Sequence, residues 1–169
     1  MDEGLAVPAT NQERRQKRVA KRRKKEMVPK NEGKRRSSLI ADADLWASRA
    51  VRILGLRDDG LVSCYTCGKK FYPKHIQCGH FVGRAHFSVR FDLRNMRPQC
   101  IKCNTYRSGE PGMYALNLIE ELGFTGFKEM LELGAETILP SDDKLKEIAT
   151  YYRDLTAKLL EEKQIHPWW

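Results

Sequence analysis

The sequence predicts an α+β protein in which a small cysteine-stapled core of short strands and loops is flanked by helices and preceded by a basic arm. Two Cys-x-x-Cys pairs, Cys64/Cys67 and Cys100/Cys103, bracket the segment with the shortest apolar runs. Apolar residues recur at three- and four-residue spacing before and after that segment, the period of helices packed on one face. Residues 13–36 hold thirteen Lys/Arg against three Glu, too dense a like charge to fold alone.

With 169 residues, 41% of them hydrophobic, the chain supports one modest core with tails. It contains no apolar run of membrane-spanning length, and Met-Asp-Glu followed by a basic stretch is not the pattern of a secretion signal. The expectation is a soluble, cytoplasmic protein without a membrane partner. The net charge of +9 is uneven: residues 64–110 hold nine Lys/Arg against Asp92 and Glu110, whereas residues 111–169 hold six basic against eleven acidic side chains. Positive charge on the arm and on the cysteine segment points to a polyanion, and nucleic acid is the expected partner.

In chain order, residues 1–36 are read as a disordered or partly helical arm that binds phosphates non-specifically. Residues 37–63 form a helix packed on the core. Ser37 or Ser38 caps it, Leu39, Ala43, Trp46 or Ala47, Ala50 and Ile53 or Leu54 share one face, and Gly55 stops it. Residues 64–110 are the core, where Gly68, Pro73, Gly79 and Gly83 break short apolar runs into strands and loops. Residues 111–169 are helical. Pro111 suits a first turn, and Tyr114, Ala115, Leu118, Ile119 and Leu122 form a stripe ending at Gly123. Thr125 opens a second segment with Phe127, Met130 and Leu131 facing inward and Gly134 closing it. Ser141 opens the last, with Leu145, Ile148, Tyr152, Leu155 and Leu159 in register until Pro167.

Five cysteines leave one, Cys78, outside the two pairs. Without a secretion signal, paired Cys-x-x-Cys units favour a metal over disulfides, and four thiolates fill a tetrahedral Zn²⁺ so completely that the ion is structural. Around these pairs lie Gly79-His80-Phe81, Asn95 ahead of Cys100, and Asn104 directly after Cys103.

That His…Asn…Asn order, threaded through two cysteine pairs, resembles the HNH arrangement of the ββα-metal nucleases. Cys-x-x-Cys, Gly-His-Phe, Arg-Phe-Asp, Asn95, Gln99-Cys100, Cys103-Asn104, Ser108-Gly109 and Tyr114 before a leucine-rich helix are together similar to the NinG/Rap family of phage recombination endonucleases. The likeness runs over roughly residues 39–160. It implies a first strand near Lys74 to Phe81, a second near Asn95 to Gln99 and a helix start near Ile101. It also implies cleavage of branched DNA such as Holliday junctions and D-loops, products with 5′-phosphate and 3′-hydroxyl ends, and, for a phage protein, a bacterial host cytoplasm.

Phosphodiester hydrolysis needs an activated water, a cation at the phosphate and the leaving oxygen, and basic groups along the strand. His80 is expected to be the general base, and Asn104 to offer a hard oxygen to a catalytic Mg²⁺ or Mn²⁺. Asn95 either orients His80 or braces the loop. Many members of the wider superfamily carry Asp or His directly before the base, where this chain has Gly79, so the second protein ligand is open among Gln77, His86, Asp92 and the softer Cys78. Arg84, His86, Arg90, Arg94, Arg97, Lys102 and Arg107 are the expected DNA contacts, with Arg84 and Arg107 nearest in sequence to His80 and Asn104. His75, His166 and Trp46 are read as surface or packing residues.

Two other readings use the same residues: a zinc-ribbon DNA-binding module without catalysis, and a basic adaptor of a recombination or replication complex that contacts proteins through its acidic helical end. Paired cuts across a junction would require two active sites, which a C2 homodimer would supply.

Overall fold

In a computed structural model of the chain, residues 30–169 are described. The reading of residues 1–29 as part of an arm lies outside them. The first helix, α1, is Lys30–Leu54. It begins ahead of the expected serine cap, so Ser37 and Ser38 lie inside it and residues 30–36 are helical. Lys, Arg and Glu lose little rotamer freedom in a helix, so a charged stretch can continue one. Compact units divide at Ser38/Leu39. The second unit, Leu39–Trp169, holds the rest of α1, the strands and both cysteine pairs.

Within it, β1 (Val62–Ser63) pairs antiparallel with β2 (Lys70–Phe71), and β3 (Ile76–His80) with β4 (Met96–Cys100). The β1–β2 hairpin wraps the first cysteine pair: Cys64 N–H donates to the Lys69 carbonyl at 2.8 Å, and Gly68 turns the chain with φ +69°. In the β3–β4 register His80 faces Met96 and Gln77 faces Gln99. A short helix, α2 (Phe87–Arg90), lies in the connection, and a π-helical turn, Lys102–Tyr106, follows β4 at once. The strands and the helical turn thus fall within one or two residues of where the resemblance places them.

Helix α3 (Pro111–Ala135) opens on proline and bends at Gly123, whose φ of 71° and ψ of 163° separate two helical segments. Helix α4 (Asp142–Glu162) is capped by Ser141, whose hydroxyl accepts from Lys144 N–H, and ends five residues short of Pro167.

Three apolar clusters hold the unit together. Ala47, Ala50 and Val51 of α1 pack with Met96 and Tyr152, joining α1, β4 and α4, with Trp46 partly buried against them. Val89, Tyr114, Leu118, Phe127 and Met130 join α3 to the β3–β4 connection. The third surrounds Cys64, Cys100 and Cys103 with Leu56, Val62 and Ile76. Leu131 departs from the expected inward stripe and is exposed, while Phe127, Met130 and Gly134, spaced three and four residues apart, are buried.

Tyr114 ties α3 to the hairpin. It is buried, and its hydroxyl lies 3.2 Å from the Gly79 carbonyl and 3.3 Å from that of Asn95. Gly79 has its own reason: a Cβ there would lie 2.1 Å from Gln99 Oε1, so the buried Gln99 side chain occupies the space a side chain at 79 would need.

Candidate metal centre and adjoining cleft

Cys64, Cys67, Cys100 and Cys103 place their sulfurs within 4.8 Å of one another, with Cys67 Sγ and Cys100 Sγ 3.9 Å apart. Four sulfurs held about 2.3 Å from a tetrahedral Zn²⁺ would be separated by about 3.8 Å, so the cluster is compatible with a structural metal such as zinc. Burial pushes the Cys64 thiol up, but N–H groups of Cys100, Cys67 and Thr66 and the Thr66 hydroxyl more than offset this and bring it down to about 6. Burial, reinforced by the neighbouring sulfurs, drives Cys67 up to about 12 and raises Cys100. One low-pKa thiol among raised neighbours suits a cation that takes the remaining protons' places.

Beside this centre lies a cleft of about 830 Å³ whose lining includes His80, Asn104, Gln77, Asp44, Arg84 and Lys74. His80 closes β3, and its Nε2 lies 3.0 Å from the Arg90 carbonyl. A carbonyl only accepts, so Nε2 carries the proton and Nδ1 holds the lone pair. Burial lowers the His80 pKa below the ordinary histidine value, opposed by the Arg90 hydrogen bond and the Asp44 charge and reinforced by Arg84. The imidazole is therefore a neutral acceptor at pH 7.

Asn104 enters from the π-helical turn. Its Nδ2 donates to Gln77 Oε1 at 2.7 Å, which leaves Oδ1 as its unspent oxygen. Among the described residues, the four cysteines are the only set of three or more Cys, His, Asp or Glu side chains close enough to hold an ion. A hard cation in the cleft would therefore take few protein ligands, as suits Mg²⁺, which keeps several waters.

Asn95 does not line the cleft. It is fully buried, accepts Val82 N–H at 2.7 Å and donates to the Val82 and Val89 carbonyls at 3.0 Å each, which closes the loop leading from His80 to α2. Its replacement by alanine strands three backbone groups and is expected to cost about 3 kcal/mol. Asn95→Asp is expected to be no better, since a carboxylate oxygen would face two carbonyls. Thermal unfolding checks both; a parental melting temperature for Asn95→Ala would remove the bracing role.

Of the basic residues, Arg84 is exposed on the cleft, 3.8 Å from Asp44, and Lys74 stands beside it. The others are placed differently. Arg90 is engaged by Asp44, Arg94 by Asp92 at 2.8 Å, and Arg97 by Glu121 at 2.5 Å. Each of these three guanidiniums is held by a carboxylate. Arg107 is exposed but pairs with Glu110 at 2.6 Å, away from the cleft. Lys102 is exposed and forms no ion pair among the described residues. His86 lies outside the cleft, where its Nδ1–H donates to the Gly134 carbonyl at 3.0 Å. Asp92 is likewise outside it, held on Arg94. Of the four open ligand candidates, Gln77 and Cys78 line the cleft, and burial pushes the Cys78 thiol up to about 12. His75 and His166 are exposed.

Asp44 is the residue that sequence reasoning passed over. It sits on α1 beside the buried Ala43 and Ala47, and a carboxylate bordering an apolar helical face was the available signal.

Fold and site together define a mixed α+β protein with a four-cysteine cluster that could hold a metal, adjoining a polar cleft. The chain belongs to the NinG family: the model of that family, described as Bacteriophage Lambda NinG protein, matches residues 3–162. It is also similar to Protein ninG of Salmonella phage P22, with 32% identity over 85 residues, 50% of this chain and 41% of that protein. The matched segment thus spans less than half the length of the P22 relative. No solved structure matches the chain. Among the described residues no helix is long and apolar enough to cross a membrane.

Proposed function

We propose that this protein is a divalent-metal-dependent DNA endonuclease of the HNH type, acting on branched recombination intermediates. The observation that carries the reading is the convergence of His80, with its lone pair on Nδ1, and Asn104, with its free Oδ1, on one basic cleft beside the cysteine centre.

In this reading zinc at the four cysteines holds the β1–β2 hairpin against the start of the π-helical turn, and so sets Asn104 relative to β3. His80 Nδ1 takes the proton from the attacking water, and the Arg90 carbonyl steadies the imidazolium through Nε2–H. Asn104 Oδ1, together with phosphate oxygens, would hold Mg²⁺ or Mn²⁺, which supplies charge stabilisation at the phosphate and the leaving oxygen. Arg84 and Lys74 hold the strand. The preference for junctions and D-loops follows from the likeness to the NinG/Rap endonucleases, as do 5′-phosphate and 3′-hydroxyl products.

Cleavage mapping with Mg²⁺ on linear, flapped, three-way and four-way DNAs tests this. Metal-dependent cuts concentrated at branch points are expected. Binding without any cut, on every substrate and with both Mg²⁺ and Mn²⁺, would instead identify a DNA-binding module or adaptor.

A further inference from the structure

Asp44 and Arg90 meet across 46 positions of sequence in a two-point pair: Arg90 Nε donates to Asp44 Oδ1 at 3.0 Å, and Nη2 to Oδ2 at 2.6 Å. The remaining terminal nitrogen, Nη1, donates to the Arg84 carbonyl at 2.6 Å. The guanidinium therefore closes the loop from Arg84 to Arg90 on itself and ties it to α1. Phe87 and Phe91 lie 5.0 and 5.7 Å from the guanidinium carbon and restrict water around it. The Arg90 side chain is 12% exposed and that of Asp44 23%.

A pair withdrawn this far from water is a poor device for stability, because desolvation consumes much of the attraction; its use is geometric. What it holds in place is the backbone of Arg90, and the Arg90 carbonyl is the acceptor for His80 Nε2–H. We propose that Asp44, from the helix ahead of the cysteine segment, is a positioning residue for the His80 imidazole and acts through Arg90 to hold its Nε2–H tautomer and ring orientation. The charged groups around the ring are Asp44 on α1 and Arg84 and Arg90 on the connection, with Arg52 and Lys74 on the rest of the cleft wall. Arg52 is itself held by the Ser48 and Pro73 carbonyls, at 3.1 and 3.4 Å, and does not compete for Asp44.

The effect on cleavage rests on the nuclease reading; the effect on the ring does not. The experiment therefore starts with ¹⁵N resonances of the imidazole nitrogens in the full zinc-loaded chain, for the parent, Asp44→Asn and Arg90→Lys. The parent is expected to show His80 as the Nε2–H tautomer. Both variants, each losing the two-point contact, are expected to show nitrogens averaged between tautomers. On four-way DNA with Mg²⁺, each is expected to lose about tenfold in kcat with little change in KM, a loss typical of groups that orient a functional side chain. The double variant should be no worse than either single, because both act through one carbonyl. Asp44→Glu, which keeps a carboxylate, should recover part of the loss. If Asp44→Asn fails to fold, Arg90→Lys carries the test alone. Parental ring nitrogens in a folded variant overturn the proposal. Averaged nitrogens in a protein whose His80→Ala variant cleaves like the parent would leave the positioning intact and overturn the nuclease assignment of His80.

Discussion

His80→Ala is expected to bind branched DNA like the parent while cleavage falls by a factor on the order of 10² or more. The substitution removes the proton acceptor and leaves the cleft's cations, Arg84 and Lys74, in place. Asn104→Ala is expected to fail differently. It removes a hard oxygen, so part of its loss should return on raising Mg²⁺ or substituting Mn²⁺, which binds such sites more tightly. His80→Ala should show no such recovery, and metal titration of the two variants separates the roles. The pH profile adds a sign. Burial holds His80 of the free protein below the ordinary histidine value, so the base form already dominates at pH 7 and kcat/KM should decline only as pH falls through that lowered pKa. The acid limb of kcat/KM should therefore lie below the ordinary histidine value. A limb above that, or parental cleavage by His80→Ala, would mean that another group takes the proton.

Loss of a cysteine ligand is expected to have the largest effect on stability. Cys64 and Cys103 lie in the same buried cluster as Leu56, Val62 and Ile76, so the metal centre is part of the core that joins the β1–β2 hairpin to β3 and β4. Binding energy at such a centre is folding energy. Cys103→Ser should lose the ion and several kcal/mol, lowering Tm by on the order of 10 °C or more for a unit of this size. Native mass spectrometry of the parent should find one Zn²⁺ per chain, and a strong chelator should reproduce the loss of structure in circular dichroism. A well-folded Cys103→Ser protein with full activity and no bound metal would end the structural assignment.

These two predictions use residues legible from the sequence. Cys64, Cys67, Cys100 and Cys103 stand out because metal ligation imposes a spacing, and His80, Asn95 and Asn104 because their order among those cysteines resembles the HNH arrangement. The strands, the Pro111 start, the Gly123 break and the Ser141 cap were legible for a related reason: periodicity, capping and positive φ are local constraints that a few neighbouring residues satisfy. The start of α1 was less so, since a charged stretch that lacks an apolar face can still continue a helix nucleated beyond it.

Charge behaved otherwise. Arg84, Arg90, Arg94 and Arg97 look alike in a basic segment, and only the fold separates Arg84, exposed on the cleft 3.8 Å from Asp44, from the three held closely by Asp44, Asp92 and Glu121. The same holds for Gln77, an undistinguished candidate until β3 and the π-helical turn bring it to Asn104, and for Gly79, whose missing side chain makes sense only beside Gln99. By itself the sequence determined the cysteine cluster and the helices, because spacing and periodicity are properties of neighbours along the chain. Which cations are spent in pairs, what orients His80 and why Asp44 faces it were decided by tertiary structure alone, because partners as far apart as Asp44 and Arg90 are chosen by packing that no local pattern records.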